Sequence, residues 1–153
     1  MAWQHLAPRA DANLGAARAE PGEIWTRVHA SIRMQNYSSA MRALRTHIMT
    51  HPNDYIAYDL RCLCAMHCND YSLALSDAIQ CTTLNPAWAR GWARLGAAQL
   101  CLGHPTAAAS AYTQGLTLDP KNEEMLTGME LAKRAGNIRG GNNRRAAIHD
   151  GDS

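Results

Sequence analysis

The sequence predicts an all-α fold, a solenoid in which three helix-turn-helix units stack in series and a further helix caps the C-terminal end. Two sets of residues recur at an interval of 34 positions, and Tyr37 and Tyr71 share that interval. These sets are Pro52, Pro86 and Pro120, and Ala40, Ala74 and Ala108. A fixed period of this size indicates stacked copies of one small unit rather than a single globular core. Stacked helical units form a groove, and a groove predicts a binding function.

The helical periodicity divides the chain into repeats at about 21–52, 55–86 and 89–120. The predicted helices are 23–35 and 38–50, 54–67 and 71–84, and 88–101 and 105–117. Each first helix follows a proline, which cannot continue the preceding helix but is compatible with a turn. The recurring alanine lies where the two helices of a unit cross closely, so its expected role is packing.

A seventh helix is predicted at about 122–135, with Met125, Met129 and Ala132 on one stripe. A repeat array needs a half-polar cap of this kind because its last unit would otherwise expose an apolar face. Gly136 is the predicted end of this helix.

The two ends of the chain differ in composition from the repeats. Residues 1–21 show no firm periodicity and are predicted to form a flexible arm. The stretch that begins at Gly140 is rich in Gly, Asn and Arg, and residues 138–153 are predicted to form a disordered basic tail. The ordered domain is therefore expected to span 22–137.

Composition excludes several classes of protein. The net charge of +2 is too small to indicate nucleic-acid binding by itself. No apolar run is long enough to span a bilayer, and the first residues lack the apolar core of a secretory signal. Five cysteines, an odd number, favour a reducing compartment over a disulfide framework. A cytoplasmic location is expected; a mitochondrial presequence is the alternative, although the acids near the N-terminus argue against it.

The motifs of catalysis and metal binding are missing from the sequence. Cys64, His67 and Cys68 have the i, i+3, i+4 spacing of neighbours on one helix face. A closed zinc site needs a fourth ligand, usually from a second closely spaced pair, and the chain offers none. HExxH, GxSxG and phosphate-loop motifs do not occur. The expectation is a protein without catalytic residues, cofactor, metal or small-molecule substrate.

The third repeat carries a family pattern. It places Trp92, Leu95, Gly96, Ala108, Tyr112 and Pro120 in the order and spacing of the tetratricopeptide repeat. The second repeat keeps Tyr58, Cys62, Tyr71, Ala74 and Pro86, and the first keeps Ile24, Tyr37, Ala40, Leu44 and Pro52. The chain thus resembles this family over roughly residues 22–137. The resemblance implies a right-handed α-solenoid that binds other proteins.

Within that family, residues 85–94 resemble the third repeat of the co-chaperone modules that hold the C-termini of heat-shock chaperones. Arg90 and Arg94 match the basic pair of these modules. At i, i+4 they share a helix face, and two guanidinium groups can bind a carboxylate. A solvated basic face that aids solubility is the alternative.

The remaining positions of the clamp depart from the family. Its Lys and Asn on the first helix fall at Trp25 and His29, and its second-repeat Asn falls at Leu60, although Arg61 matches the Arg that follows. Losing one charge-assisted hydrogen bond costs about 1.5–3 kcal/mol. The resemblance implies a half-retained clamp whose groove residues are Arg90, Arg94, His29, Trp25, Arg61 and Leu60. The alternative for Arg61 is that its aliphatic stem is buried while its guanidinium stays in solvent. The alternative for Trp25 is that it only packs against neighbouring residues.

These observations lead to a non-catalytic interaction scaffold that holds a peptide or helix of a partner protein. One alternative is an adaptor for heat-shock chaperones, whose ligand would be an acidic C-terminus. Another is a structural subunit of a large assembly. RNA binding is disfavoured, because the 34-residue interval and the Trp-Leu-Gly pattern favour the protein-binding family over the RNA-binding helical repeats.

Overall fold

The computed structural model describes residues 22–149, with side chains as far as Ile138, and every element in this part of the chain is helical. The predicted arm at 1–21 and the last four residues of the predicted tail lie outside the described residues. The seven helices are α1 (Glu23–Arg33), α2 (Tyr37–Thr50), α3 (Tyr55–His67), α4 (Tyr71–Leu84), α5 (Ala89–Cys101), α6 (Pro105–Leu118) and α7 (Glu123–His149). The predicted all-α fold of three helix pairs and a further helix is confirmed, and the bounds of α1 to α6 differ from prediction by at most two residues.

The turn inside each helix pair repeats with the sequence. Gln35, Asn69 and Gly103 occupy equivalent positions, and all three have a left-handed backbone with φ of 57°, 60° and 77°. The amide of the next residue in each turn donates to a carbonyl five residues back, for example Asn36 to Ser31 at 2.8 Å. This is the Schellman arrangement, which satisfies the last carbonyls of the first helix.

Capping side chains fix where the helices begin. Asn36 and Asp70 accept hydrogen bonds from the amides three residues on, at the starts of α2 and α4. Asp54 accepts from the amides of Ile56 and Ala57 at the start of α3. Each such cap stabilises a helix by about 0.5–2 kcal/mol. The three repeating prolines lie exposed in the turns that join successive units.

Small residues allow the helices to approach closely. The repeating alanines Ala40, Ala74 and Ala108 are fully buried. A Cβ atom added at Gly96 of α5 would lie 2.6 Å from the ring of Tyr112 on α6. A Cβ atom at Gly128 of α7 would lie 2.4 Å from the same ring. The Tyr112 ring is thus held between two glycines, which fixes the spacing of α5, α6 and α7.

Two residues of the repeat pattern on α5 have different environments. Leu95 is buried. Trp92 is only partly buried, and its Nε1 donates to the carbonyl of Pro86 at 2.8 Å. The indole therefore packs along the joint between the second and third units rather than deep inside one of them.

The helices form an array with distinct sides. Each helix packs on its neighbours in sequence, and α5 also contacts both α3 and α7. Within residues 22–149, no comparable contact joins α2 with α4 or α4 with α6. The first helices of the second and third units and α7 are therefore closer together than the second helices. They form the inner, concave side of the solenoid.

The last helix is longer than the sequence predicts. α7 continues thirteen residues beyond Gly136, so residues 138–149, predicted as a disordered tail, are helical. A glycine ends a helix by adopting a left-handed backbone, and Gly136 does not have one. Glycine in a helix interior costs only about 0.5–1 kcal/mol relative to alanine. The prediction of an end at this residue was therefore wrong.

Candidate functional site

The centre of the candidate site is a buried ion pair between Arg94 of α5 and Asp59 of α3. The Nε of Arg94 donates to Oδ1 of Asp59 at 2.7 Å, and the two side chains are 3% and 2% exposed. No acid lies four residues from Arg94 on its own helix, so the partner comes from the preceding unit. The predicted clamp arginine is therefore paired inside the protein.

Arg90 lies one turn earlier on α5 and contacts the same carboxylate. Its Nε is 3.2 Å from Oδ2 of Asp59, and its side chain remains 32% exposed. Its guanidinium carbon also lies 5.9 Å from the ring centre of Trp88. The structure thus places Arg90 and Arg94 on the same carboxylate, with Oδ2 of Asp59 at Arg90 and Oδ1 at Arg94.

Arg94 keeps an unused donor group. Its Nη2 is buried and has no hydrogen-bond partner, a costly state for an ionised group. Burial acts to lower the pKa of Arg94, but the nearby carboxylates of Asp59 and Glu124 outweigh it, and the net shift is upward. The side chain is therefore a permanent cation whose hydrogen-bonding capacity is partly filled.

Arg61 belongs to a separate pair within the second unit. Its Nε and Nη2 donate to Asp77 of α4 at 2.9 and 2.7 Å, a two-pronged contact. The hydrogen bond to Asp77 is the largest cause of a raised pKa of Arg61. Its guanidinium carbon also lies 5.7 Å from the ring centre of Tyr58. The side chain is thus neither a free groove cation nor a simple snorkelling stem.

The other predicted groove residues are not assembled around the arginines. Leu60 is 1% exposed and lies in the core between the first and second units, so it does not line an open surface as predicted. Trp25 and His29 are partly buried on α1, with ring centres 6.3 Å apart. The ring of Trp25 also meets His47 of α2 edge-on at 4.9 Å. Packing is therefore the main observed role of Trp25.

Solved structures share this architecture. The first TPR of Spaghetti (RPAP3), bound to the HSP90 peptide SRMEEVD, matches with a TM-score of 0.71 at 20% identity, over 73% of this chain and 89% of that one. The Sgt2 TPR domain from Aspergillus fumigatus matches with a TM-score of 0.71 at 23% identity, over 78% and 80%. The chain therefore has the fold of tetratricopeptide repeat (TPR) domains.

Curated proteins resemble this TPR chain in sequence as well, although no family model matches it. It is 36% identical over 113 residues to the heat shock protein sti1 homolog of Schizosaccharomyces pombe, over 74% of the chain and 19% of that protein. It is 44% identical over 84 residues to the Hsp70-Hsp90 organizing protein of Triticum aestivum, over 55% of the chain and 14% of that protein. The chain thus spans less than a fifth of the length of these two relatives.

Sequence reasoning missed Asp59, the acid at the centre of the TPR domain's arginine cluster. α5 itself carries no acid that could pair with Arg90 or Arg94, and Asp59 is 35 residues before Arg94. That separation is one repeat plus one residue, so the 34-residue register could have found it. Asp59 precedes Leu60, the residue that is one full repeat from Arg94.

The cysteine and histidine cluster has no metal-binding geometry. Among the described residues, no group of three or more potential ligands surrounds a common point. Burial raises the pKa of Cys64 to about 12, so its thiol stays protonated. His67 stacks on the ring of Tyr37 with centres 4.3 Å apart. No described helix of this TPR domain is both long and apolar enough to cross a membrane.

Proposed function

We propose that this TPR domain is a non-catalytic interaction module, cytoplasmic and without a cofactor, that binds an acidic peptide segment of a partner protein. The observation that carries the proposal is the buried guanidinium of Arg94, whose Nη2 lacks an acceptor. Arg90 lies beside it and is partly exposed. A carboxylate from a partner would give Nη2 the acceptor it lacks, in a contact that is strong because both groups are charged.

The position of the cluster supports a peptide rather than a small molecule. Asp59, Arg94 and Glu124 come from α3, α5 and α7, the helices that form the concave side. An extended segment that follows this side would cross the three helices in turn. Its acidic group would meet Arg90 first, because Arg90 is the more exposed of the two arginines.

A second candidate function is that of an adaptor for heat-shock chaperones. It is favoured by the sequence similarity to the sti1 homolog and the Hsp70-Hsp90 organizing protein. Three residues at the clamp positions argue against it. Trp25 and His29 replace the Lys and Asn of the family clamp, and Leu60 is buried and has no hydrogen-bonding side chain. The adaptor is therefore expected to bind chaperone C-termini weakly, with a Kd of about 100 μM rather than about 1 μM. This difference corresponds to about 2.7 kcal/mol of binding free energy.

The proposal is tested with the peptide SRMEEVD, labelled at its N-terminus and titrated with the domain in a fluorescence anisotropy experiment. The control peptide, SRMQQVN with an amidated C-terminus, has the same length and no acidic group. We expect saturable binding of the acidic peptide only, weakened about tenfold by Arg90→Gln through loss of one charge-assisted bond. Arg45→Gln removes an exposed cation from α2 and serves as the matched control.

The outcomes separate the candidates. Equal binding of both peptides, or equal effects of Arg90→Gln and Arg45→Gln, would contradict a specific acidic-peptide site. If neither peptide binds at millimolar concentration, the adaptor function is excluded. Recovery of one stoichiometric set of proteins after mild cross-linking would then indicate a permanent subunit of an assembly.

A further inference from the structure

The carboxylate of Asp59 makes an unusual contact with its two arginines. The contact of each arginine with this carboxylate is through Nε, at 2.7 Å for Arg94 and 3.2 Å for Arg90. Neither guanidinium makes the two-pronged contact that Arg61 makes with Asp77 in the same unit. The carboxylate is therefore divided between two cations and fills the hydrogen-bonding capacity of neither.

Asp59 also occupies the place where an external carboxylate would bind. A ligand that bridges Arg90 and Arg94 would put its oxygens near their facing donors, and Asp59 already supplies one oxygen to each. Glu124 also acts on Arg94, whose pKa its negative charge raises. The local charge available to an acidic ligand is therefore small while Asp59 stays in place.

We propose that Asp59 is a built-in competitor for acidic ligands at Arg90 and Arg94, and so determines how strongly acidic a partner must be to bind. This inference rests on the function proposed above. Asp59 is fixed on α3, so it acts at the high effective concentration of an intramolecular group. A partner with one carboxylate has to displace Asp59 from Arg90 and Arg94 or bind the two arginines together with it. A partner with several carboxylates displaces Asp59 more readily.

The geometry also gives the order of exchange. The contact of Arg90 with Asp59 is the longer one and lies at the exposed edge of the cluster. A ligand carboxylate would first take the guanidinium of Arg90, and would reach the unpaired Nη2 of Arg94, which is buried, only after a movement of the side chains has exposed it. The shorter bond from Arg94 Nε to Asp59 is released last.

The test compares Asp59→Asn with Asp77→Asn. Asparagine keeps an oxygen that can accept from the arginine and removes the negative charge. Asp77 is the matched control because it is also buried and paired with an arginine, but not with Arg90 or Arg94. Binding of SRMEEVD is measured by anisotropy at fixed ionic strength, after far-ultraviolet circular dichroism has shown that each variant is folded at the assay temperature.

We expect Asp59→Asn to bind the acidic peptide about tenfold more tightly than the wild type, the effect of about 1.4 kcal/mol. The affinity of Asp77→Asn for the peptide should stay within about twofold of the wild-type value, since the charge of Asp77 does not act on Arg90 and Arg94 directly. Unchanged or weaker binding by folded Asp59→Asn, with wild-type binding intact, overturns the competitor role and leaves the proposed function standing. If neither wild type nor Asp59→Asn binds, both fail. Binding by Asp59→Asn alone supports the competitor role and shows that Asp59 closes the wild-type site.

A measurement on the wild type covers the case in which Asp59→Asn does not fold. The Nε–H signals of Arg90 and Arg94 and the side-chain carboxyl signal of Asp59 are followed by nuclear magnetic resonance during titration with SRMEEVD. Displacement predicts that all three signals shift together to a saturable end point. If the peptide binds while the Asp59 carboxyl signal and the Arg94 Nε–H signal stay unchanged, Asp59 is a structural partner only and the inference is wrong.

Discussion

Arg94 of α5 and Asp59 of α3 form an ion pair in which Nε lies 2.7 Å from Oδ1 and both side chains are almost fully buried. The pair connects the second and third units across the concave side. Removing one partner of a buried pair leaves an uncompensated charge, whereas replacing both by apolar residues is often neutral. The contact therefore has a structural role that can be measured apart from any ligand.

We predict that Arg94→Met lowers the free energy of unfolding by about 3–5 kcal/mol. The double variant Arg94→Met with Asp59→Leu should regain most of this loss, because no buried charge is left. Urea denaturation followed by circular dichroism gives both values. Arg90→Gln, at a partly exposed position, should change stability by less than about 1 kcal/mol. A double variant as unstable as Arg94→Met would show that the cost does not come from the unpaired carboxylate.

The ring of Tyr112 gives a second prediction. Gly128→Ala would put a Cβ atom 2.4 Å from this ring, and overpacking of this kind costs about 1–3 kcal/mol. Gly136→Ala is the control, because nothing lies within 4 Å of its Cβ position. It should stabilise α7 by about 0.5–1 kcal/mol, the helix preference of Ala over Gly.

Thermal unfolding of the two variants checks this contrast. Replacing Tyr112 by Leu should make the further cost of Gly128→Ala smaller, since the clashing ring is gone. If Gly128→Ala and Gly136→Ala shift the melting temperature in the same direction and by the same amount, the predicted clash between a Cβ atom at residue 128 and the Tyr112 ring is contradicted.

The repeat explains how much of the structure could be predicted. Turn and packing positions such as Asn69 and Ala74 recur every 34 residues, so their environments could be read from one another. The period puts Asp59 next to Leu60, the repeat equivalent of Arg94, but whether the two side chains meet also depends on how far one unit is rotated against the next. The continuation of α7 past Gly136 was missed because composition does not determine whether a glycine adopts the left-handed backbone that ends a helix.

Two partly buried histidines should make stability depend on pH. Burial lowers the pKa of His67, and the charge of Arg94 lowers it further; burial and Arg33 act likewise on His29. The unfolded chain then binds protons more strongly than the folded chain. Their contribution to stability is full above the unfolded-state pKa of about 6.5 and is lost as the pH falls below it.

We therefore predict that the melting temperature falls between about pH 7 and pH 5, and that His67→Gln makes this fall smaller. The same substitution at the exposed His104 is the control. Melting curves at constant ionic strength give the slopes. A slope unchanged by His67→Gln would show that His67 has no part in the pH dependence.

The left-handed turn residues give the last prediction. Gln35 has φ of 57° at the position where the third unit has Gly103. The left-handed backbone costs a residue with a Cβ atom about 1–2 kcal/mol, and glycine does not have this cost. Gln35→Gly should therefore stabilise the domain by about 1 kcal/mol. Asn69→Gly should stabilise the domain by a smaller amount, because asparagine tolerates the left-handed region better than glutamine does.

The reverse change, Gly103→Gln, should destabilise by a similar amount, because it introduces the strain that Gln35 already has. Urea denaturation of the three single variants measures the series. The order expected for the free energy of unfolding is Gln35→Gly above Asn69→Gly above wild type above Gly103→Gln. A loss of stability in Gln35→Gly would mean that the Gln35 side chain contributes more to the turn than its backbone strain costs.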